Sequence, residues 1–319
     1  MHPVISKIGT IGVIPVVVLE DETKAVPLAK ALVAGGLPSI EVTFRTKAAA
    51  ASIEAIASAV PSMLVGAGTV LTVDQVKTAI GAGAEFVVAP GFDPAVVEYC
   101  LAHDIPILPG VLAPSEIGRA LSLGINVLKL FPIEAVGGLN YLKAVSGPFV
   151  EARFSPSGGV DLSNFLSYLK FPSVHACGSS AMVKAELIAA DRFDEIERLT
   201  AEMVRIMLGF TVRHVGVNTE DEKHAKAAAD LLTHNFGFGM REGSSSFFVA
   251  EQIEVTKSKR DSGHGHIAIG TNFMDRAIAH LGRKGISTRP DTAAVRNGSI
   301  HTVYLDLEIE GFEVHLIQL

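Results

Sequence analysis

Short apolar runs alternate with longer, alanine-rich amphipathic segments over roughly the first 208 residues. An apolar run bounded by Gly or Pro is typical of a buried strand, and apolar residues every three or four positions are typical of a helix. Strands that alternate with helices form a parallel sheet, because each crossover needs a helix. Eight runs predict a (β/α)8 TIM barrel, with an open doubly wound sheet as the alternative. They read IGVIPVVVL, SIEVTF, LVGAGTV, EFVVAP, IPILPG, NVLKLFP, RFSPSGG and VHACGSS.

The pattern changes from about residue 209, and the remaining chain repeats itself. In each copy a strand that opens with His is followed by a polar turn, a helix and further strand-like stretches. We therefore predict two domains, a barrel over 1–208 and a smaller α+β domain of two βαβββ repeats over 209–319. The matching segments are RHVGVNTEDEKHAKAAADLL and GHIAIGTNFMDRAIAHL, followed by SSFFVAEQIEVTKS and IHTVYLDLEIEGFEVHLIQL.

A single lysine interrupts the apolar run 125–132. Side chains alternate along a strand, so Lys129 shares one face with Val127 and Phe131, while the two flanking leucines occupy the other. With the leucines packed against helices, Lys129 points into the barrel near the active-site end of the strands. Burial there disfavours the ammonium form and favours the nucleophilic amine. The alternative is a lysine paired with a carboxylate for structural reasons alone.

The second apolar run places three polar side chains on one face, because Glu41, Thr43 and Arg45 alternate in IEVTFRT. A carboxylate beside an amine nucleophile can move protons, and a guanidinium can bind a substrate carboxylate through two hydrogen bonds. The structural alternative is a buried ion pair between Glu41 and either Arg45 or Lys129.

Two Gly-Ser loops follow the last two predicted barrel strands, at Ser155–Gly159 and Cys177–Ser180. Loops in these positions often form the phosphate site of this fold, because Gly lets backbone N–H groups approach an anion. Either loop alone is equally typical of an ordinary turn. Their presence in both positions favours an anion site.

Composition excludes several classes of function. Nucleic-acid binding requires clustered excess Lys and Arg, whereas the net charge is -7, so no nucleic-acid partner is expected. We expect no membrane association and a cytoplasmic location, because we find neither an apolar run of about 20 residues nor a signal peptide. Cys100 and Cys177 fall in apolar stretches and are expected to be free core thiols.

Taken together, the barrel motifs resemble the 2-keto-3-deoxy-6-phosphogluconate (KDPG) aldolases, which also act as 4-hydroxy-2-oxoglutarate (KHG) aldolases. The resemblance covers roughly residues 5–205 and rests on PVVV, EVTFRT, VGAGTV, PG, KLFP, SPSGG and GSS in this order. It implies a homotrimeric class I aldolase with 2-keto acid substrates and no cofactor. A class I aldolase breaks a carbon–carbon bond of its substrate through an iminium on a lysine. The iminium withdraws electrons from the bond two carbons away, so the cleavage needs no metal.

The resemblance also implies roles for particular residues. Lys129 is expected to form the Schiff base with the pyruvate carbonyl, and Glu41 to shuttle protons through water. The residues that would hold the substrate are Arg45, Thr69 and the backbone of Gly68 for the pyruvate carboxylate, Pro90 and Phe131 for the pocket wall, and Ser157, Gly158, Gly159 and Ser179 for the distal phosphate.

Two positions depart from some relatives. Ser157 stands where some carry Thr, which keeps the hydroxyl. Some also carry Arg just after the first strand, where this chain has Val18, Leu19 and Glu20. The second departure weakens the case for a phosphorylated substrate.

Residues 210–319 resemble the vicinal-oxygen-chelate, or glyoxalase-like, fold through the internal repeat and a few residues. In that family the first and last strand of each copy each supply one metal ligand. The usual last ligand is a carboxylate, and Glu313 lies two residues before the histidine found here. A set of three imidazoles and one carboxylate suits divalent Zn, Ni, Fe or Mn. The alternative is core histidines in a metal-free packing module. The implied ligands are His214, Glu254, His266 and His315.

Three hypotheses follow for the whole chain. The first is a Schiff-base aldolase that cleaves KDPG to pyruvate and glyceraldehyde 3-phosphate, KHG to pyruvate and glyoxylate, or both. The second adds a separate metal-dependent activity in the C-terminal domain. The third is a non-catalytic sugar-acid-binding barrel with an assembly domain. Lys129 favours an enzyme, because a barrel that only binds has no reason to bury a reactive amine.

Overall fold

The computed structural model describes residues 1–258 and 263–319, which form two compact units, Met1–Ile206 and Met207–Leu319. Strands alternate with helices throughout the first unit. Its strands are β1 (Val13–Val17), β2 (Ser39–Thr43), β3 (Leu64–Gly68), β4 (Phe86–Val88), β5 (Ile107–Leu108), β6 (Gly110–Val111), β7 (Val127–Leu130), β8 (Arg153–Pro156) and β9 (Cys177–Ser179). The helices are α1 (Pro3–Ile11), α2 (Ala25–Ala34), α3 (Ala49–Ala59), α4 (Val73–Gly81), α5 (Pro94–Ala102), α6 (Pro114–Ser122), α7 (Gly138–Ser146), α8 (Phe165–Leu169), α9 (Ala185–Ala189) and α10 (Phe193–Leu208).

The strands of the first unit close into a barrel. Six parallel strands follow the order β5-β4-β3-β2-β1-β9, and three more follow the order β6-β7-β8. β5 and β6 are two halves of one strand interrupted at Pro109, which has no N–H to donate to the ladder. Bridges pair Phe154 with Val174 and Ser157 with Gly178, which joins β8 to β9. The predicted (β/α)8 barrel is confirmed.

Local sequence sets where the barrel helices begin. The Asp93 carboxylate caps α5 by accepting a hydrogen bond from the N–H of Val96, and Pro94 occupies the first helical position, where no N–H is needed. The Thr72 hydroxyl caps α4 in the same way, by accepting from the N–H of Gln75. These caps start the helices directly after the loops at the carboxyl ends of β3 and β4.

The second unit consists of two βαβββ copies. The first copy contains β10 (Thr211–Val217), α11 (Glu222–Phe236), β11 (Met240–Glu242), β12 (Ser246–Val249) and β13 (Ile253–Thr256). The second copy contains β14 (Gly265–Thr271), α12 (Met274–Arg283), β15 (Ala294–Arg296), β16 (Ser299–Ile309) and β17 (Phe312–Gln318). Short 3-10 turns occur at Pro290–Thr292 in this unit and at Glu22–Lys24 and Glu134–Val136 in the first unit. The expected smaller α+β unit with an internal repeat is confirmed.

The two copies share one sheet in the order β11-β12-β13-β10-β14-β17-β16-β15. The first and last strands of each copy pair in parallel, and β10 pairs antiparallel with β14 to join the copies. On one face, Ala225 and Ala229 of α11 pack against Phe247, Val249 and Val255. Because side chains alternate along strands, the predicted metal ligands on β10, β13, β14 and β17 lie on the other face.

No helix within the described parts of the chain has the length and apolarity that a membrane crossing requires.

Candidate functional sites

Lys129 lies in the middle of β7, and the structure gives it a carboxylate partner. Its Nζ lies 3.1 Å from Oε1 of Glu41 on β2, and the two residues are 7% and 2% exposed. Leu128 and Leu130 are fully buried on the opposite face of the strand, as alternation requires. The Lys129–Glu41 ion pair that the sequence left open therefore exists, in a position that also suits an amine nucleophile and its proton acceptor.

Gly68 makes room for the Glu41 carboxylate. A Cβ at this position would lie 2.2 Å from Oε1 of Glu41, so any other residue would push the carboxylate away. The Glu41 side chain on β2 therefore requires glycine at the end of β3. Spacing along the sequence gave no indication of this contact.

Arg45 and Thr69 meet beyond the ends of β2 and β3. The Arg45 Nε donates a hydrogen bond of 3.2 Å to the Thr69 hydroxyl, and Thr69 holds a φ of 54°. Such a left-handed conformation is uncommon for Thr and turns its hydroxyl toward the guanidinium. Thr43 has a different task, because its hydroxyl donates to the Val17 carbonyl at 2.8 Å.

The side chains of Lys129, Arg45 and Thr69 line a cavity of about 470 Å³ at the carboxyl ends of the strands. The Lys129 Nζ lies 5.6 Å from the centre of the Phe131 ring, which forms part of the wall. Residues on the wall that the sequence singled out are Arg45, Thr69, Pro90, Lys129, Phe131, Ser157, Gly158 and Gly159. Wall residues to which the sequence gave no individual role include Val16, Ser180, Val183, Lys184 and Glu186. Val18, noted only as a departure, also lies on the wall.

The loop after β8 presents free backbone donors to this cavity. Gly158 and Gly159 have φ of 91° and 88°, which favour glycine, and their N–H groups donate to no described residue. Two neighbouring N–H groups fix the loop, because Ile133 and Glu134 donate to the carbonyls of Ser157 and Gly158. The free N–H groups suit an anion.

A carboxylate holds this loop from outside the cavity. Glu134 Oε1 accepts hydrogen bonds from the Tyr168 hydroxyl and from Nδ2 of Asn164, and the same Nδ2 donates to the Gly159 carbonyl at 3.0 Å. Burial and the hydrogen bond to Glu134 raise the pKa of Tyr168, so it remains a donor at neutral pH.

Ser179 does not lie on the cavity wall. Its hydroxyl donates to the Val160 carbonyl at 2.6 Å and accepts from the Ala181 N–H at 3.2 Å, and the side chain is buried. The neighbouring Ser180 lines the cavity instead. β9 ends at Ser179, and alternation no longer predicts the direction of side chains there.

The second unit brings three ligand-type atoms together on the open face of its sheet. His214 Nε2 lies 3.1 Å from Glu254 Oε2, and His266 Nε2 lies 3.4 Å from the same oxygen. The two Nε2 atoms are 3.2 Å apart. Ligands at about 2.0–2.1 Å from a tetrahedral metal lie about 3.3 Å from one another, so these separations match a metal shell.

His315 completes the predicted set. One ring nitrogen each from His214, His266 and His315 lie within 4.8 Å of one another. Neither nitrogen of His315 has a hydrogen-bond partner of normal geometry among the described residues, although its ring is buried and stacked on Tyr304. Burial, with the neighbouring His266 and His214, lowers the pKa of His315 to about 3, so its imidazole is neutral. The other carboxylate considered, Glu313, binds Arg289 at 2.7 Å.

Glu254 is held as a carboxylate despite its burial. Burial acts to raise its pKa, but hydrogen bonds from His214, His266 and Ser246 outweigh this and leave the pKa below its ordinary value. Gly216 lies between Glu254 and His266 in the sheet register, and a Cβ there would lie 2.0 Å from the His266 ring. The missing side chain lets the imidazole cross over β10.

Fold and site together define the first unit as a Schiff-base aldolase of the (β/α)8 type. The family model described as "Aldolase: KDPG and KHG aldolase" matches residues 4–199. The 2-dehydro-3-deoxy-phosphogluconate aldolase of Treponema pallidum is 47% identical over 65% of this chain and 99% of that protein. The KHG/KDPG aldolase of Escherichia coli is 42% identical over 60% of this chain and 90% of that protein.

A solved structure agrees with these matches. The KDPG aldolase from Legionella pneumophila, with pyruvate captured as a covalent carbinolamine intermediate, has a TM-score of 0.61 and 37% identity over 62% of this chain and 97% of that chain. The chain belongs to the KDPG and KHG aldolase family and is a class I aldolase, a lyase.

We expect Gly68→Ala to lower the kcat of aldol cleavage by about 10²-fold, because a small displacement of a reacting group costs about this much. Steady-state assays would measure it. Gly81→Ala is the matched control, since a Cβ at Gly81 meets nothing within 4 Å. Equal kcat in the two variants would show that the position of Glu41 does not matter.

Proposed function

We propose that the barrel cleaves KDPG and KHG through a Schiff base on Lys129. The observation that carries this is the Lys129–Glu41 contact of 3.1 Å, buried beside a cavity that also contains Arg45. Relatives named for both substrates support the choice of 2-keto acids.

In the proposed mechanism, the Lys129 amine attacks the C2 carbonyl of the substrate and Glu41 relays the proton that the oxygen takes up. Loss of water from the carbinolamine gives an iminium. Glu41, through water, then removes the C4 hydroxyl proton, the C3–C4 bond breaks, and its electron pair moves into the iminium to give an enamine. The aldehyde leaves, C3 is protonated, and water releases pyruvate. Arg45 and Thr69 hold the carboxylate of the substrate throughout.

The far end of the cavity is proposed to bind the distal phosphate of KDPG. The free N–H groups of Gly158 and Gly159 support this, together with Lys184 on the same wall. Lys184 supplies a cation at a rim where Val18 leaves the end of β1 uncharged. A phosphate meets both backbone donors and positive charge there.

For residues 209–319 we propose a glyoxalase-like module that holds one divalent transition metal. The donor set of three imidazoles and one carboxylate fits Zn, Ni, Fe or Mn. The unpaired nitrogens of the buried His315 and the separations of 3.1–3.4 Å around Glu254 Oε2 support it. His214, Glu254, His266 and His315 would hold the metal, which would act as a Lewis acid toward a bound oxygen.

We further propose a domain division at 208/209, a homotrimeric assembly and a cytoplasmic location. The resemblance of residues 5–205 to a trimeric family supports the assembly, and the two compact units support the division. Light scattering of the purified chain tests the trimer.

Borohydride with pyruvate should trap a covalent adduct on Lys129, and Lys129→Ala should abolish cleavage, because Lys129 supplies the amine of the proposed imine. Peptide mapping by mass spectrometry locates the adduct. Lys143→Ala, on α7, is the control and should react like wild type. An adduct on Lys143 or Lys170 would contradict the assignment, and no adduct at all would favour a barrel that only binds sugar acids.

Wild-type enzyme should have a higher kcat/KM for KDPG than for KHG, and Lys184→Ala should lower only the KDPG value, by about tenfold for one lost charge-assisted contact. Inorganic phosphate should compete with KDPG only. Lys170→Ala serves as the control outside the cavity. Equal efficiencies without phosphate inhibition would reduce the two loops to ordinary turns.

Full-length protein should copurify with about one divalent transition metal per chain, measured by elemental analysis. The double variant His214→Ala, His266→Ala should lose the metal and keep aldol cleavage, because neither residue belongs to the barrel. Protein grown in supplemented medium that holds no metal, with a melting temperature unmoved by Zn, Ni or Mn, would make the module a packing unit.

A further inference from the structure

The two copies of the second unit place matching residues on the open face of the sheet. In the first copy, Phe248 lies opposite Glu254 in the register; in the second, Tyr304 lies opposite His315. The guanidinium of an arginine lies over each of these rings. The guanidinium of Arg241 lies 4.3 Å from the centre of the Phe248 ring, and that of Arg289 lies 5.1 Å from the centre of the Tyr304 ring.

The two arginines differ in their charge partners. Arg289 forms an ion pair of 2.7 Å with Glu313, two residues before the ligand-type His315. The equivalent position in the first copy, two residues before Glu254, is Gln252, which is neutral. Arg241 has no ion-pair partner within the described parts of the chain. The first copy therefore has an arginine like that of the second copy, but it lacks the carboxylate that pairs with the arginine there.

Arg241 also lines a cavity that extends to His214, one member of the histidine cluster. The cavity has a volume of about 510 Å³, and His214, Arg241 and Phe248 all lie on its wall. Arg241 on β11 pairs with Phe248, which pairs with Glu254, so the arginine stands two strands from Glu254 and three from His214. Two strand spacings are roughly 10 Å, the span of a small organic molecule with one group at each end.

We propose that Arg241 binds the distal anionic group of a small ligand whose other end coordinates the metal of the cluster. The ligand class is a short acid with an oxygen-donor head, such as a 2-oxo acid, and a second carboxylate at its far end. Guanidinium and carboxylate match in a two-bond geometry, and the Phe248 ring packs against the guanidinium. The carboxylate of Glu251 on the same wall disfavours a larger negative charge at that end. This inference rests on the proposed metal site.

Cobalt(II)-loaded full-length protein tests the proposal, because its visible absorption reports ligands that reach the metal. Pyruvate and 2-oxoglutarate share the oxo-acid head and differ in the distal carboxylate. Comparing their dissociation constants, each measured by titration, therefore gives the contribution of the distal carboxylate to binding. Wild type should bind 2-oxoglutarate about tenfold more tightly than pyruvate, the effect of one charge-assisted contact.

Arg241→Gln should remove this difference by weakening 2-oxoglutarate alone, Arg241→Lys should restore part of it, and Arg296→Gln, an exposed control on β15, should keep it. Cobalt content should be unchanged in all three variants. Two outcomes would contradict the role of Arg241 and leave the metal site standing. One is a cobalt-loaded Arg241→Gln protein that still prefers 2-oxoglutarate tenfold, and the other is a cobalt-loaded wild type that shows no preference. A full-length protein that takes up no cobalt overturns the metal site as well.

Discussion

The interior of the barrel is arranged around one requirement, that a buried lysine have a partner. Leaving one member of a buried ion pair alone costs about 3–5 kcal/mol, so Lys129 and Glu41 each stabilise the other in this position. An ammonium beside a carboxylate and an amine beside a carboxylic acid have the same total charge. A proton can therefore move between them without creating net charge in the interior, and the resulting amine is a nucleophile. Structural and chemical interpretations of this pair are thus compatible.

Much of the surrounding site follows from this pair. Gly68 is required because the Glu41 carboxylate occupies the space of a Cβ. Arg45 lies two residues beyond the end of β2 and is held by Thr69, so a substrate carboxylate bound there lies in the same cavity as the Lys129 amine. The loop after β8, which is proposed to bind phosphate, does not depend on this pair. Its backbone is held by the N–H of Glu134 and by Asn164, which donates to the Glu134 carboxylate and to the Gly159 carbonyl.

Strand alternation predicted that Lys129 and Glu41 both point into the barrel, because a period of two fixes which side chains share a face. The ion pair between them was one of two alternatives that the sequence left open. Alternation gives no direction where strands end, and there the resemblance to the aldolases selected Ser179 although Ser180 lines the cavity. Lys184 was missed because it precedes α9 in a turn with no periodicity. In the second unit, the internal repeat matched His214 with His266, and the resemblance to the vicinal-oxygen-chelate family implied Glu254 and His315 as well. Equivalent strands bring these four side chains together. Contacts across the sheet, such as Arg289 with Glu313, involve a residue outside the strands and had no sequence signal.

The division of roles between Lys129 and Glu41 is tested most directly by proton exchange at the methyl group of pyruvate in D2O, followed by proton NMR. The enamine that exchanges these protons forms on Lys129, and Glu41 moves them. Glu41→Gln should therefore bind pyruvate and exchange its methyl protons about 10²–10⁴-fold more slowly than wild type. Exchange at the wild-type rate in Glu41→Gln would remove Glu41 from the mechanism and leave the buried pair a structural one.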